Sequence, residues 1–183
     1  MNNNFFHNLN VDILTPEFKL EILTFSKKNL DKFNAYKSMY TRLPDGNNYY
    51  KGTFLDLHSE IKNLKHRISL KFFPIIMLHY PNTTVKKHVD DPNKRNCLLS
   101  CPIYPKFNYA PTFFYTNPKN ILDIANSELA AIANFDKGYP VLLNTQEVHG
   151  LWSGNDFRIN LQLCFEERFD IVKGKIITDK FYI

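Results

Sequence analysis

Near the C-terminal end, Phe157-Arg158-Ile159-Asn160-Leu161-Gln162-Leu163-Cys164-Phe165 alternates strictly between two kinds of side chain. A period of two marks a β-strand, because successive side chains leave opposite faces of the pleat. Phe157, Ile159, Leu161, Leu163 and Phe165 share one face. Arg158, Asn160, Gln162 and Cys164 share the other. Such a strand must cover its apolar face. Its polar face either meets water or lines a polar interior. In the second arrangement the apolar face packs on a helical layer and the polar face forms the inside of a ligand-holding barrel.

Other runs before it also read as strands: residues 71–80, broken by Pro74, then 85–90 after a Pro81-Asn82 turn, 97–104, 112–116, 130–135 and 141–145. They are short and separated by Pro, Asn, Asp and Gly clusters, the pattern of an all-β sandwich or barrel. The first third differs. Thr15 is placed to cap a helix, with Pro16 at its first position and Glu17 and Glu21 in the early turns. Phe18, Ile22, Phe25 and Leu30 follow near helical spacing, and Lys27, Lys28 and Lys32 fall towards the end. Residues 40–50, with Pro44-Asp45-Gly46-Asn47-Asn48, read as a turn-rich connection, and 55–67 as a second, shorter helix. The expected organisation is one domain over 1–183. Residues 1–68 form a helical support, 69–166 a β core, and 167–183 a C-terminal extension.

The bulk properties narrow the classes. A chain of 183 residues suits one substantial core. No apolar run approaches the length of a membrane span. The start, Met1-Asn2-Asn3-Asn4, lacks the basic-then-apolar pattern of a secretory leader. Cys97, Cys101 and Cys164 sit in apolar runs without zinc-site spacing, so free buried thiols in a reducing, cytoplasmic setting are expected. The net charge is +5, but Lys27-Lys28, the basic residues of 62–67, and Lys86-Lys87 are separate groups. A solvated surface accounts for them, and a nucleic-acid path is the lesser alternative.

Chemistry concentrates at His88-Val89-Asp90, His149 and Arg158. His88 and Asp90 share a face if the chain is extended there. Two imidazoles and a carboxylate on one side of a metal, with open positions opposite, suit non-haem Fe(II). His149 follows the strand-like 141–145 and precedes Gly150, which lets backbone approach closely. A bidentate 2-oxo acid and dioxygen would fill the open positions. The far carboxylate of that acid needs a cation, and the planar fork of Arg158 suits it. Solitary histidines such as His7, His58, His66 and His79 read as surface or hydrogen-bonded residues.

This order, His-x-Asp, a long gap, His, then Arg, resembles the Fe(II)/2-oxoglutarate-dependent dioxygenases, in the prolyl and aspartyl/asparaginyl hydroxylase-like branch. The resemblance covers residues 71–165. It implies a mainly β fold with N-terminal helices, a double-stranded β-helix of jelly-roll, cupin-like type. It implies His88, Asp90 and His149 as iron ligands and Arg158 as the residue for the 5-carboxylate of 2-oxoglutarate, with Fe(II), 2-oxoglutarate and O2 as the cofactor set. Tyr80 is a candidate hydroxyl donor to the cosubstrate. Asn160 stands where many members have Ser or Thr. Arg95, Lys86 and Lys87 border the triad and are candidates for binding a small-molecule, peptide or protein substrate, with anionic groups favoured. A non-catalytic cupin-like protein that binds a metal or small anion is the alternative outside enzymes. A nucleic-acid-modifying oxygenase is a further one.

Overall fold

The computed structural model describes residues 4–10, 12–28, 30, 34–36, 40–42, 75–93, 95–106, 108–118 and 121–178. The strands are β1 (Phe6–Asn8), β2 (Asn34–Tyr36), β3 (Tyr40–Arg42), β4 (Ile75–His79), β5 (Thr84–His88), β6 (Cys97–Tyr104), β7 (Thr112–Tyr115), β8 (Leu129–Ala133), β9 (Val141–Leu143), β10 (His149–Trp152) and β11 (Arg158–Phe165). The helices are α1 (Pro16–Lys28) and α2 (Phe169–Thr178), with 3-10 turns at Ile121–Asn126 and Asp136–Gly138.

The described strands form two antiparallel sheets. The major one has the order β1-β9-β6-β11-β4-β3-β2, and the minor one β5-β10-β7-β8. β11 lies inside the major sheet, with Leu161 opposite Cys101 of β6 and Ile76 of β4. Its alternation decides the layering. Ile159, Leu161, Leu163 and Phe165 join Phe18 and Ile22 of α1 and Phe169, Val172 and Ile176 of α2 in one core. The other face turns towards the minor sheet, where Cys164 packs with Leu98, Val141, Leu143 and Phe114. Both faces of β6 and β11 are thus buried, one under helices and one between sheets.

α1 begins as its sequence predicts. The Phe18 amide donates to Thr15 Oγ1 at 3.3 Å, satisfying one of the amides left open at a helix start. Two features differ from expectation. The N-terminal region is not purely helical: β1 pairs with β9 through Phe6↔Leu143, and β2–β3 extends the major sheet beside β4. The C-terminal stretch is a helix, and its Phe169, Val172 and Ile176 fall on one face and complete the core. The expected connection over 40–50 begins instead with β3, which pairs with β4, so residues 40–42 are strand rather than turn. Residues 43–50, the second helix over 55–67 and the start of the 71–80 run lie outside the described residues. Cys97, Cys101 and Cys164 are free and buried. Among the described residues no helix is long and apolar enough to cross a membrane.

Candidate metal centre

The centre is built where β5 meets β10. His88 lies opposite His149, but the next registered pair is Val85 with Leu151. One residue of β10, Gly150, therefore faces two of β5, Lys86 and Lys87. This bulge brings Val85 and His88, three positions apart, to the same cleft. A Cβ on Gly150 would lie 2.8 Å from the Val85 carbonyl oxygen, so the close approach of the strands requires glycine. Gly150→Ala is expected to cost about 1–3 kcal/mol of stability as β5 and β10 are forced apart. Metal affinity should fall with it, because the displaced strands carry both histidines. A denaturant midpoint paired with a metal titration checks this.

Asp90 lies just beyond the end of β5. Its amide donates to the Thr145 carbonyl at 3.0 Å, tying it to the turn that precedes His149. Asp90 Oδ1 is 3.6 Å from His88 Nε2, and Oδ2 is 3.9 Å from His149 Nε2. One donor atom from each of the three residues lies within 4.8 Å of the others. The imidazole rings are 4.4 Å apart. Each ring is oriented in the same way: His88 Nδ1 is 2.8 Å from the Lys86 carbonyl oxygen, and His149 Nδ1 is 2.9 Å from that of Glu147. A carbonyl only accepts, so each Nδ1 carries the proton and each Nε2 presents a lone pair to the shared space. Metal-binding histidines are oriented through their second nitrogen in this way.

Electrostatics prepare the same atoms. Burial, reinforced by the charge of a protonated His88, pushes His149 down to about 4, so it is neutral at physiological pH. Burial alone would raise the Asp90 carboxyl, but His88, Arg95 and His149 outweigh it and hold the group below its ordinary range. Burial also opposes charge on His88, yet Asp90 and the Lys86 carbonyl raise its pKa. A metal would have to displace the proton that Asp90 favours on His88; the set it would then meet, two neutral nitrogen donors and one anionic oxygen, matches the preference of a divalent first-row ion.

The centre opens into a cleft between the sheets. Met77, Leu98 and Leu143 line it alongside the polar Ser100, Thr112, Thr145 and Gln162. Arg158 reaches it from the start of β11 and is only 2% exposed. Its guanidinium lies 4.6 Å from the Tyr109 ring centroid and 5.6 Å from that of Phe135. Among the described residues its Nε has no hydrogen-bond partner and no carboxylate pairs with it. A buried cation that meets aromatic rings and no carboxylate among the described residues leaves a place for an anion.

Of the remaining candidates, Arg95 lines the cleft, with Nε 2.8 Å from Asp90 Oδ2 and Nη1 donating to Gln162 Oε1 at 3.1 Å. Asn160 is wholly buried beneath the cleft and donates to Ser100 Oγ at 2.9 Å. Lys86 is exposed beside His88. Lys87 turns elsewhere: its ammonium donates to the carbonyls of Ala125 and Ser127 at 3.0 and 2.6 Å and lies over the Tyr115 ring. Tyr80 is 39% exposed, packs on Phe157 and does not line the cleft, so this placement gives no support to a cosubstrate role. His79 takes the interior position instead, opposite Arg158 on β4.

His79 carries a consequence for stability. Burial first, and the neighbouring Arg158 charge second, push its pKa down to about 3 from the ordinary 6.5. His79 and His149 are therefore neutral when folded and gain protons near 6.5 when unfolded. The unfolded chain binds more protons below that point, so stability is full above about 6.5 and falls as pH drops towards 3–4. Each group contributes a slope of about 1.4 kcal/mol per pH unit within the window. Urea unfolding of metal-free protein between pH 7 and 5 should show it, and His79→Leu should remove about one proton from the slope.

No family model and no curated protein matches the chain. Solved structures do. A Trichoplax adhaerens prolyl hydroxylase, in complex with a hypoxia inducible factor oxygen degradation domain peptide fragment, matches with a TM-score of 0.62 at 12% identity. The match covers 93% of this chain and 88% of that one. The non-heme alpha ketoglutarate dependent epimerase SnoN, from nogalamycin biosynthesis, matches with a TM-score of 0.58 at 9% identity, over 87% and 77% of the chains. HygX from Streptomyces hygroscopicus, with nickel, 2-oxoglutarate and hygromycin B bound, matches with a TM-score of 0.54 at 10% identity, over 87% and 81%. The two facing sheets of this chain thus form the double-stranded β-helix, the fold of the 2-oxoglutarate- and Fe(II)-dependent oxygenases.

Proposed function

We propose that this chain is an Fe(II)- and 2-oxoglutarate-dependent oxygenase that hydroxylates an amino acid or a protein side chain. One observation carries the reading. Two imidazole Nε2 atoms and one carboxylate converge in the same cleft as a buried arginine whose charge no described carboxylate matches. Iron held there would supply the oxidising chemistry, with one oxygen atom of dioxygen going into succinate as 2-oxoglutarate loses carbon dioxide and the other into a C–H bond of the substrate.

The residues have separate tasks in this reading. His88 and His149 bind through Nε2, and Asp90 supplies the negative charge. A metal held by three protein ligands would keep room for a 2-oxo acid and dioxygen. Arg158 pairs with the far carboxylate, orienting the acid towards the triad. Met77, Leu98 and Leu143 keep water from the inner cleft, which strengthens that pairing. Asn160 steadies the floor through Ser100. Lys86 and Arg95 lie at the substrate side, and their charge favours a carboxylate-bearing substrate. The described elements act as one oxygenase domain, and three free buried thiols suit the cytoplasm. The peptide held by one structural neighbour and the hygromycin B held by another support testing both peptides and small molecules.

The test is succinate release from 2-oxoglutarate with Fe(II), screened over free amino acids and peptides. Release that depends on metal and rises with one substrate class is expected, with loss of activity in Asp90→Ala. Metal-loaded protein that yields no succinate with any of them contradicts the proposal.

A further inference from the structure

Arg95 does more than border the cleft. Its Nε is 2.8 Å from Asp90 Oδ2, and its Nη1 donates to Gln162 Oε1 at 3.1 Å on the interior face of β11. The backbone around it is fastened too. Gln146 Nε2 donates to the Arg95 carbonyl at 2.9 Å and to the Asp90 carbonyl at 3.3 Å. The Arg95 amide donates to the Asp91 carbonyl, and the Asp90 amide to that of Thr145, both at 3.0 Å. One amide side chain from the turn before His149 thus clamps both ends of the 90–95 loop.

We propose that Arg95 is a positioning residue that makes Asp90 a one-oxygen ligand, committing Oδ2 and leaving Oδ1 for the metal. The inference rests on reading the triad as a metal site. A carboxylate near a divalent ion binds through one oxygen or both. Chelation by Asp90 would take a fourth octahedral position and leave two. Two positions do not hold a bidentate 2-oxo acid and dioxygen together. Oδ1 lies 3.6 Å from His88 Nε2, whereas Oδ2, 3.9 Å from His149 Nε2, is the oxygen that Arg95 meets at 2.8 Å. The guanidinium suits the task because its fork pairs by charge with the Asp90 carboxylate while Nη1 is anchored on the Gln162 amide oxygen. A lysine ammonium has no such fixed geometry.

Mn(II) is the probe, and water-proton relaxation counts the waters on the bound ion. Wild type should carry three. In Arg95→Gln the freed Oδ2 should chelate and displace one, lowering the relaxation per bound ion by about one third. Infrared difference spectra of wild type on Mn(II) addition give a second measurement that needs no variant. A one-oxygen carboxylate ligand keeps its two stretching bands far apart, and a chelating one brings them together. Widely split bands are expected. Closely spaced bands in wild type, or unchanged relaxation in a metal-bound Arg95→Gln, overturn the role of Arg95. If Mn(II) does not bind wild type at all, the metal site itself is contradicted.

Discussion

Replacing Arg158 with alanine is expected to weaken 2-oxoglutarate binding by about 2–5 kcal/mol, roughly 30-fold to several-thousand-fold. The size follows from burial. The side chain is 2% exposed, supported by the Tyr109 and Phe135 rings, and its Nε has no hydrogen-bond partner among the described residues. A carboxylate brought to it forms a charge-assisted pair in a site screened from water. Burial lowers the Arg158 pKa and Tyr109 opposes that, but guanidinium stays charged throughout the working range. Calorimetric titration of 2-oxoglutarate into Mn(II)-loaded protein measures the effect. Arg158→Lys should recover only part of it, because an ammonium cannot pair through two parallel bonds. Affinity unchanged in Arg158→Ala would remove Arg158 from the cosubstrate site.

The second large effect is expected at the triad. His149→Ala removes a donor that is neutral at pH 7 and already aimed by the Glu147 carbonyl. Metal affinity should fall by more than about 100-fold, beyond the loss usual for residues that only support a ligand. Asp90→Asn keeps the shape but removes the anion. It should also release Arg95, because its carboxylate is the charge that faces the guanidinium. Mn(II) titration followed by electron paramagnetic resonance reports both. Wild-type affinity in either variant would mean that the converging side chains do not hold the metal.

The sequence carried much of this site, for reasons that differ by residue. The alternation of 157–165 gave the face of Arg158 correctly, because β11 has helices on one side and a cleft on the other. Alternation has nothing to say at β4. Residues 75–78 are apolar on both faces, so the run has no phase; Tyr80 rests on the resemblance alone, and it is His79 that lines the cleft. His88 and Asp90 do point together, but not along one strand. β5 ends at His88, and the Thr145 carbonyl holds Asp90. The bulge at Lys86 and Lys87 has no local signature; it exists because Gly150 lets β5 close on β10. Adjacency to His88 also misplaced Lys87, whose ammonium is drawn to two carbonyls at the 3-10 turn side. β1 and β10 are too short for periodicity and are defined by pairing partners distant in sequence. The helical spacing of Phe169, Val172 and Ile176 was there to be read. Gln146 and Gln162, by contrast, gain meaning only once the fold brings them to Arg95.

The central claim is that one cleft holds a divalent metal on His88, Asp90 and His149 and a 2-oxo acid between that metal and Arg158. Calorimetric titration of 2-oxoglutarate into wild type, with and without bound Mn(II), tests it most directly. The account predicts one molecule bound per chain when metal is present, and binding that collapses without metal. Equal binding in the two states, or no binding in either, would contradict it.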